Sequence, residues 1–98
     1  MSYSKDCYPN GSIKSEKWFN INGKLHREDD KPAQVTYYEN GNVKMEKWYC
    51  GGKNFRNNNL PHKIEYLEDD SAIYYLFDEN GNEIKETEFC PLVKRANK

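Results

Sequence analysis

The reactive side chains in this sequence are few. Two histidines (His26, His62), three cysteines (Cys7, Cys50, Cys90) and two acidic runs (Glu28-Asp29-Asp30 and Glu68-Asp69-Asp70) are what any metal site, acid/base pair or nucleophile would be built from. His26 opens HREDD, where an imidazole and three carboxylates are the raw material of a metal or acid/base cluster. The matching stretch one unit along reads FRNNN and keeps only Arg56, so HREDD reads as a solvated charged turn at a strand end. Glu68-Asp69-Asp70 stands where Glu39-Asn40-Gly41 stands earlier and also reads as a turn. Cys50 lies beside Gly51-Gly52, an exposed thiol to which spacing assigns no histidine or aspartate partner. The odd cysteine count and the lack of a CxxC pair argue against a disulfide framework and a zinc site. GxxxxGK and GxGxxG are absent. No catalytic activity, cofactor or metal is expected.

The elements that would position any site follow from punctuation. The chain has 98 residues, 15 basic against 16 acidic, for a net charge of -1. Leu, Ile, Val and Phe make up only 17 residues, a fraction near the disordered range, but the low net charge and 14 aromatic residues point to a folded chain. The longest apolar run, Ile73 to Phe77, is far short of a membrane helix. The opening MSYSKDCYPNGS lacks the apolar core of a secretory signal, so an intracellular, cytoplasmic and soluble protein is expected.

A period runs through the sequence. Landmarks recur at steps of 29 or 30: Gly11, Gly41, Asp70; Trp18, Trp48, Phe77; Gly23, Gly52, Gly81; Pro32, Pro61, Pro91. The units span about 8–37, 38–66 and, in degenerate form, 67–96 of a single 1–98 domain. All six glycines fall in Asn-Gly or Gly-Gly pairs, which predict two-residue hairpin turns of type I′. Between them lie β-branched and aromatic runs too short for helices, predicting strands at 12–19, 24–27, 33–38, 42–49, 53–56, 62–67, 71–77 and 83–89. The tail PLVKRANK would add a short helix or fray. The fold expected is all-β: an elongated, twisted, single-layer antiparallel meander of tandem β-hairpin repeats. Strict alternation puts Val43, Met45 and Tyr49 on one face and Lys44, Glu46 and Trp48 on the other. Ile13, Ser15 and Phe19, with Lys14, Glu16 and Trp18, repeat the pattern.

The units YPNGSIKSEKWFNINGKLHRED and YENGNVKMEKWYCGGK resemble variant MORN repeats, the form found in tandem in bacterial antitoxin-like proteins and in proteins of giant amoeba-infecting viruses and their satellites. The resemblance covers about residues 8 to 96. It implies a single-layer antiparallel sheet and a role in protein contact or scaffolding, in a host cytoplasm if the source is viral. Lipid binding has been attributed to related repeats, but the strands here carry Lys and Glu where the commoner pattern has glycines.

Aromatic side chains recur at one phase of the unit, and a single-layer sheet leaves some of them exposed. Trp18, Phe19, Tyr37, Trp48, Tyr49, Tyr66, Tyr74, Tyr75 and Phe77 are therefore the candidate interaction surface of a non-enzymatic module binding a protein partner. The alternative role for these rings is to pack on one another and on lysine stems. Open edges near Ser12 and Phe89 suggest a homodimer through edge strands. The alternative is a surface for single-stranded nucleic acid or anionic lipid. Because Lys17, Lys44 and Lys47 are each accompanied by Glu16 or Glu46, neither nucleic acid nor membrane is expected as the partner.

Overall fold

Asparagine and glycine set the turns, though mostly not as the type I′ pattern predicts. In the computed structural model, which describes residues 2–56, 60–69, 71–78 and 80–89 (88 and 89 as backbone only), Gly11 N donates to Tyr8 O and Tyr8 N to Ser12 O. The same pair of bonds closes 20–24, 38–42 and 78–82. Each loop has three residues, and among the described ones only the glycine takes positive φ, +79° to +93° at Gly11, Gly23, Gly41 and Gly81. This is a type I turn closed by a left-handed glycine, not type I′, which needs positive φ at both central residues. The asparagine holds the loop by its side chain instead: Asn10 Oδ1 accepts from Ser12 N and Asn40 Oδ1 from Asn42 N. Gly51-Gly52, with φ of +58° and +90° between paired Cys50 and Lys53, is the type I′ turn expected.

The strands are β1 (Ser2–Cys7), β2 (Ile13–Phe19), β3 (Gln34–Tyr37), β4 (Val43–Lys47), β5 (Tyr49–Cys50), β6 (Lys53–Asn54), β7 (Lys63–Tyr66), β8 (Ser71–Phe77) and β9 (Glu83–Phe89). Seven form one antiparallel sheet in the order β1-β2-β3-β4-β7-β8-β9, an all-β meander, while β5 and β6 make a separate hairpin in the β4 to β7 connection. The molecule measures 41 × 37 × 22 Å, thin in one direction. No described helix is long and apolar enough to cross a membrane.

Three expectations about the elements need correction. Strand β1 was not predicted, since SYSKDC is polar and wholly exposed; it covers β2, so the edges are β1 and β9, not a strand starting near Ser12. Residues 24–27 give only a bridge between Leu25 and Phe19, because that segment leaves the sheet to fold over it. The expected strand 42–49 breaks at Trp48, where the chain turns out into the β5–β6 hairpin. The Asp70 and Pro91 landmarks, Cys90 and the PLVKRANK tail lie outside the described residues.

The core occupies one face. Val35, Ile64, Tyr66 and Ala72 are the buried apolar strand residues, and register places all four on the same side. Trp48, 4% exposed, joins Ile64, Tyr66 and Ala72 in one cluster, with Val43 and Tyr74 packed against it. Strict alternation would send Val43 to the face opposite Trp48. A bulge prevents this: Thr36 pairs with Met45 but Tyr37 with Val43, so Lys44 is the extra residue. The shift recurs in β2, where Asp6 pairs with Ser15 but Cys7 with Ile13.

Candidate functional site

Direct cross-strand partners share a face of a sheet, so register gives each face its chemistry. On the face away from the core, Ser4 stands opposite Lys17, Lys17 opposite Gln34, Gln34 opposite Lys47, Lys47 opposite Lys63, Lys63 opposite Tyr75, and Tyr75 opposite Lys85. One row thus crosses all seven strands with four lysines and no acid. The corresponding row on the core face runs through Lys5, Glu16, Val35, Glu46, Ile64, Tyr74 and Glu86. Neighbours in sequence, Glu16 with Lys17 and Glu46 with Lys47, project to opposite sides. In these two rows a chain of net charge -1 separates most of its charge by face, while Asp6, Glu65 and Glu83 flank the lysine row on its own face.

Two acids of the core face, Glu16 and Glu46, are engaged there. Glu16 accepts from the hydroxyls of Tyr3, at 2.5 Å, and Tyr37. Glu46 accepts from Tyr66, 2.5 Å away. Burial and then the Glu16 contact push the Tyr37 phenol far above its ordinary range.

None of the ion pairs between described residues involves the row lysines. Lys47 loses its proton more easily than an ordinary lysine, through burial and then the charge of Lys63, with Glu65 opposing. Glu65 lies on this face beside the row and accepts from Tyr75, whose phenol is pushed up to about 12 by that contact. Asp6, near the β1 edge, meets Ser15 Oγ at 3.4 Å. Beside the row is an open hollow of about 240 Å³ whose walls include Lys14, Lys17, Lys44, Ser15, Thr36 and Gln34. Lys14 and Lys44 reach over Tyr8 and Tyr38, 5.8 and 5.7 Å from the ring centres. Thr36 Oγ1 is buried without a hydrogen-bond partner.

No protein-family model, curated protein or solved structure matches this chain.

The nine aromatic residues expected to form a contact surface do not form one. Trp48 and Tyr66 are buried, which removes them from any surface. The Trp48 indole donates to Asp30 O at 2.9 Å, and Arg56 stacks 3.9 Å from its centre. Trp18 is half-buried between Arg27, 3.7 Å from its ring, and Tyr3, 5.2 Å away. Tyr37 and Tyr74 belong to the core side, and Tyr75 to the lysine face. Phe19 ends β2 half-buried, and Tyr49 lies in the small hairpin. Phe77, 40% exposed, stacks on His62 with centroids 4.1 Å apart. Exposed Tyr3, at 49%, is an aromatic that the sequence reading passed over; its cue was a place opposite Trp18, visible only once β1 is recognised.

The HREDD segment is a clasp. His26 contacts Glu28 and accepts from Gly51 N at 3.1 Å. Arg56 grips Asp30 with two bonds, 2.9 and 3.1 Å. Asp29 and Asp30 both hold positive φ, +63° and +56°, which turns the loop back over Trp48. An open cleft of about 250 Å³ separates this loop from the β5–β6 hairpin and is lined by His26, Tyr49, Cys50 and Phe55 among others. Among the described residues no group of three or more His, Cys, Asp or Glu is placed to hold a metal ion.

His62 is the buried titratable group. It is 1% exposed, and neither ring nitrogen has a hydrogen-bond partner. Glu83 lies 3.8 Å from Nε2, too far for a hydrogen bond. Burial pushes the His62 pKa down, the nearby Glu83 charge offsetting it in part.

Proposed function

We propose that this protein is a non-catalytic binding module whose working surface is the lysine face of its sheet, and whose partner is anionic. The observation that carries this reading is the register that aligns Lys17, Lys47, Lys63 and Lys85 without an acid in their row. Like charges directly opposite one another destabilise a sheet. A face that keeps such an arrangement in one row, with Glu65 and Glu83 beside the row and not in it, suits an acceptor of negative charge. Retention on immobilised heparin, a generic polyanion, tests this. Salt-reversible retention that Lys47→Glu with Lys63→Glu abolishes is expected; unchanged retention of that variant defeats the reading.

A second reading is protein contact through the sheet edges, including a homodimer. Strands β1 and β9 each have a neighbour on one side only, and Tyr3 and Ile84 on them are 49% and 41% exposed. The resemblance to variant MORN repeats, with its implied scaffolding role, favours this reading. Support for tandem units comes from Arg27 over Trp18 and Arg56 over Trp48, from Arg27 to Pro32 O and Arg56 to Pro61 O, and from Tyr8 to Tyr37 O and Tyr38 to Tyr66 O. Light scattering across a concentration range checks self-association, and a strict monomer removes the homodimer.

A further inference from the structure

Lysines spread along a line call for a ligand charged along its length. At about 4.8 Å between strands, a row crossing seven strands runs roughly 29 Å, and Lys17, Lys47, Lys63 and Lys85 are distributed over β2 to β9. A single phosphate or carboxylate would meet one or two of them. The opposition of Lys47 and Lys63 is a cost that a polyanion laid across the row removes.

Two further features favour a polynucleotide over an acidic polypeptide. Tyr75 stands within the row between Lys63 and Lys85, and basic side chains interleaved with aromatic rings suit single strands, whose bases stack while their phosphates are neutralised. The hollow flanked by Lys14, Lys17 and Lys44 has room beside the row for a planar group, with the hydroxyl-bearing Ser15 and Thr36 in its wall. Acidic side chains have no aromatic ring to place there. A duplex is disfavoured because its bases are stacked on one another and this open face offers no helix or ribbon to enter a groove.

We propose that the lysine face binds single-stranded nucleic acid without sequence preference, its phosphodiester backbone following the lysine row and its bases turned toward Tyr75 and the hollow; this rests on the reading of that face as the working surface. Lysines are point charges and carry no base code, so affinity follows charge and length.

Fluorescence anisotropy with a labelled oligothymidylate of about 12 nucleotides, within the usual range of single-strand sites, tests the assignment. Duplex DNA of the same length and a poly-glutamate peptide are the comparison probes. Binding should weaken with salt, with a log-log slope of about -3 if four phosphates are neutralised. Lys47→Glu with Lys63→Glu should weaken it at least tenfold, whereas Lys5→Glu with Lys53→Glu, an equal charge change away from this face, should leave it within twofold. Thermal melts confirm that both variants are folded. Equal affinity for duplex, or equal loss in both variants, overturns the proposal. Binding of poly-glutamate but not oligothymidylate through these lysines also overturns it while leaving the broader reading standing; binding of neither probe, with no retention on heparin, defeats both.

Discussion

Lys47 and Lys63 stand directly opposite each other on adjacent strands β4 and β7, and neither belongs to an ion pair between described residues. The relationship separates stability from function. Lys47→Glu places a carboxylate opposite Lys63 and should raise unfolding stability by about 0.2–1 kcal/mol at low ionic strength, with the gain shrinking as salt is added. Urea melts at two salt concentrations check this. A substitution that strengthens the fold while weakening polyanion binding marks the native lysine as kept for binding.

The two tryptophans should behave differently. Trp48 is buried, donates its indole N–H to Asp30 O and lies under Arg56. Trp48→Ala should cost about 3–5 kcal/mol. Trp18, half-buried between Tyr3 and Arg27, should cost less than half as much. Equal costs in denaturant titrations would mean that the loops do not cover Trp48 as described.

Stability should fall on mild acidification because of His62. Its pKa is lowered from the ordinary 6.5 by burial, so the folded state favours the neutral ring. The unfolded chain takes up the proton first. The contribution is therefore full above about pH 6.5 and is lost as pH falls through that value toward the depressed native one. A buried, stacked phenyl ring needs no proton, so His62→Phe should flatten the stability profile between pH 7 and 5. Chemical denaturation at stepped pH measures the difference, and an equally steep profile in the variant would assign the effect elsewhere.

The tyrosines should resist alkali. Tyr75, at about 12, is held protonated by Glu65, and Tyr37 is raised by burial and Glu16. For a group whose native pKa is raised, stability is complete below the unfolded value, near 10, and is lost as pH rises through the native value. Ultraviolet titration should show a delayed class of phenols. Glu65→Gln should bring one phenol back toward pH 10, and an unchanged titration would break the pairing of Tyr75 with Glu65.

Much of the fold was legible because turns and strands are encoded locally. Short runs between turn residues, rich in β-branched and aromatic side chains, placed 71–77 and 83–89 to the residue, matching β8 and β9. Turn type was misread because an Asn-Gly pair serves two loops, and whether asparagine takes positive φ depends on the strands it joins. β1 was hidden because its exposed residues carry no hydrophobic signal: an edge strand gains from pairing with little burial. The lysine face was the least legible part. Glu16-Lys17 and Glu46-Lys47 read as neutral pairs along the chain, and only the pleat separates them. That Lys17, Lys47, Lys63 and Lys85 share one line depends on the register of five strand pairs, which no local pattern specifies. The nine aromatic candidates do not make a single surface because they divide between the two faces, Tyr66 and Tyr74 on the core side and Tyr75 on the other, and because Asp30 and Arg56 cover Trp48.

The recurring offset between Trp18 and Trp48 makes this architecture extensible. The stretches 8–37 and 38–66 each place two strands in the main sheet, so each inserted copy would widen it by about 10 Å. Because both stretches carry the same bulge and the same stacked arginine, a new copy would meet its neighbours in phase. Ligand length would then be a matter of copy number: duplicating one stretch should lengthen the oligonucleotide footprint by a fixed increment, as on a ruler whose divisions are strands.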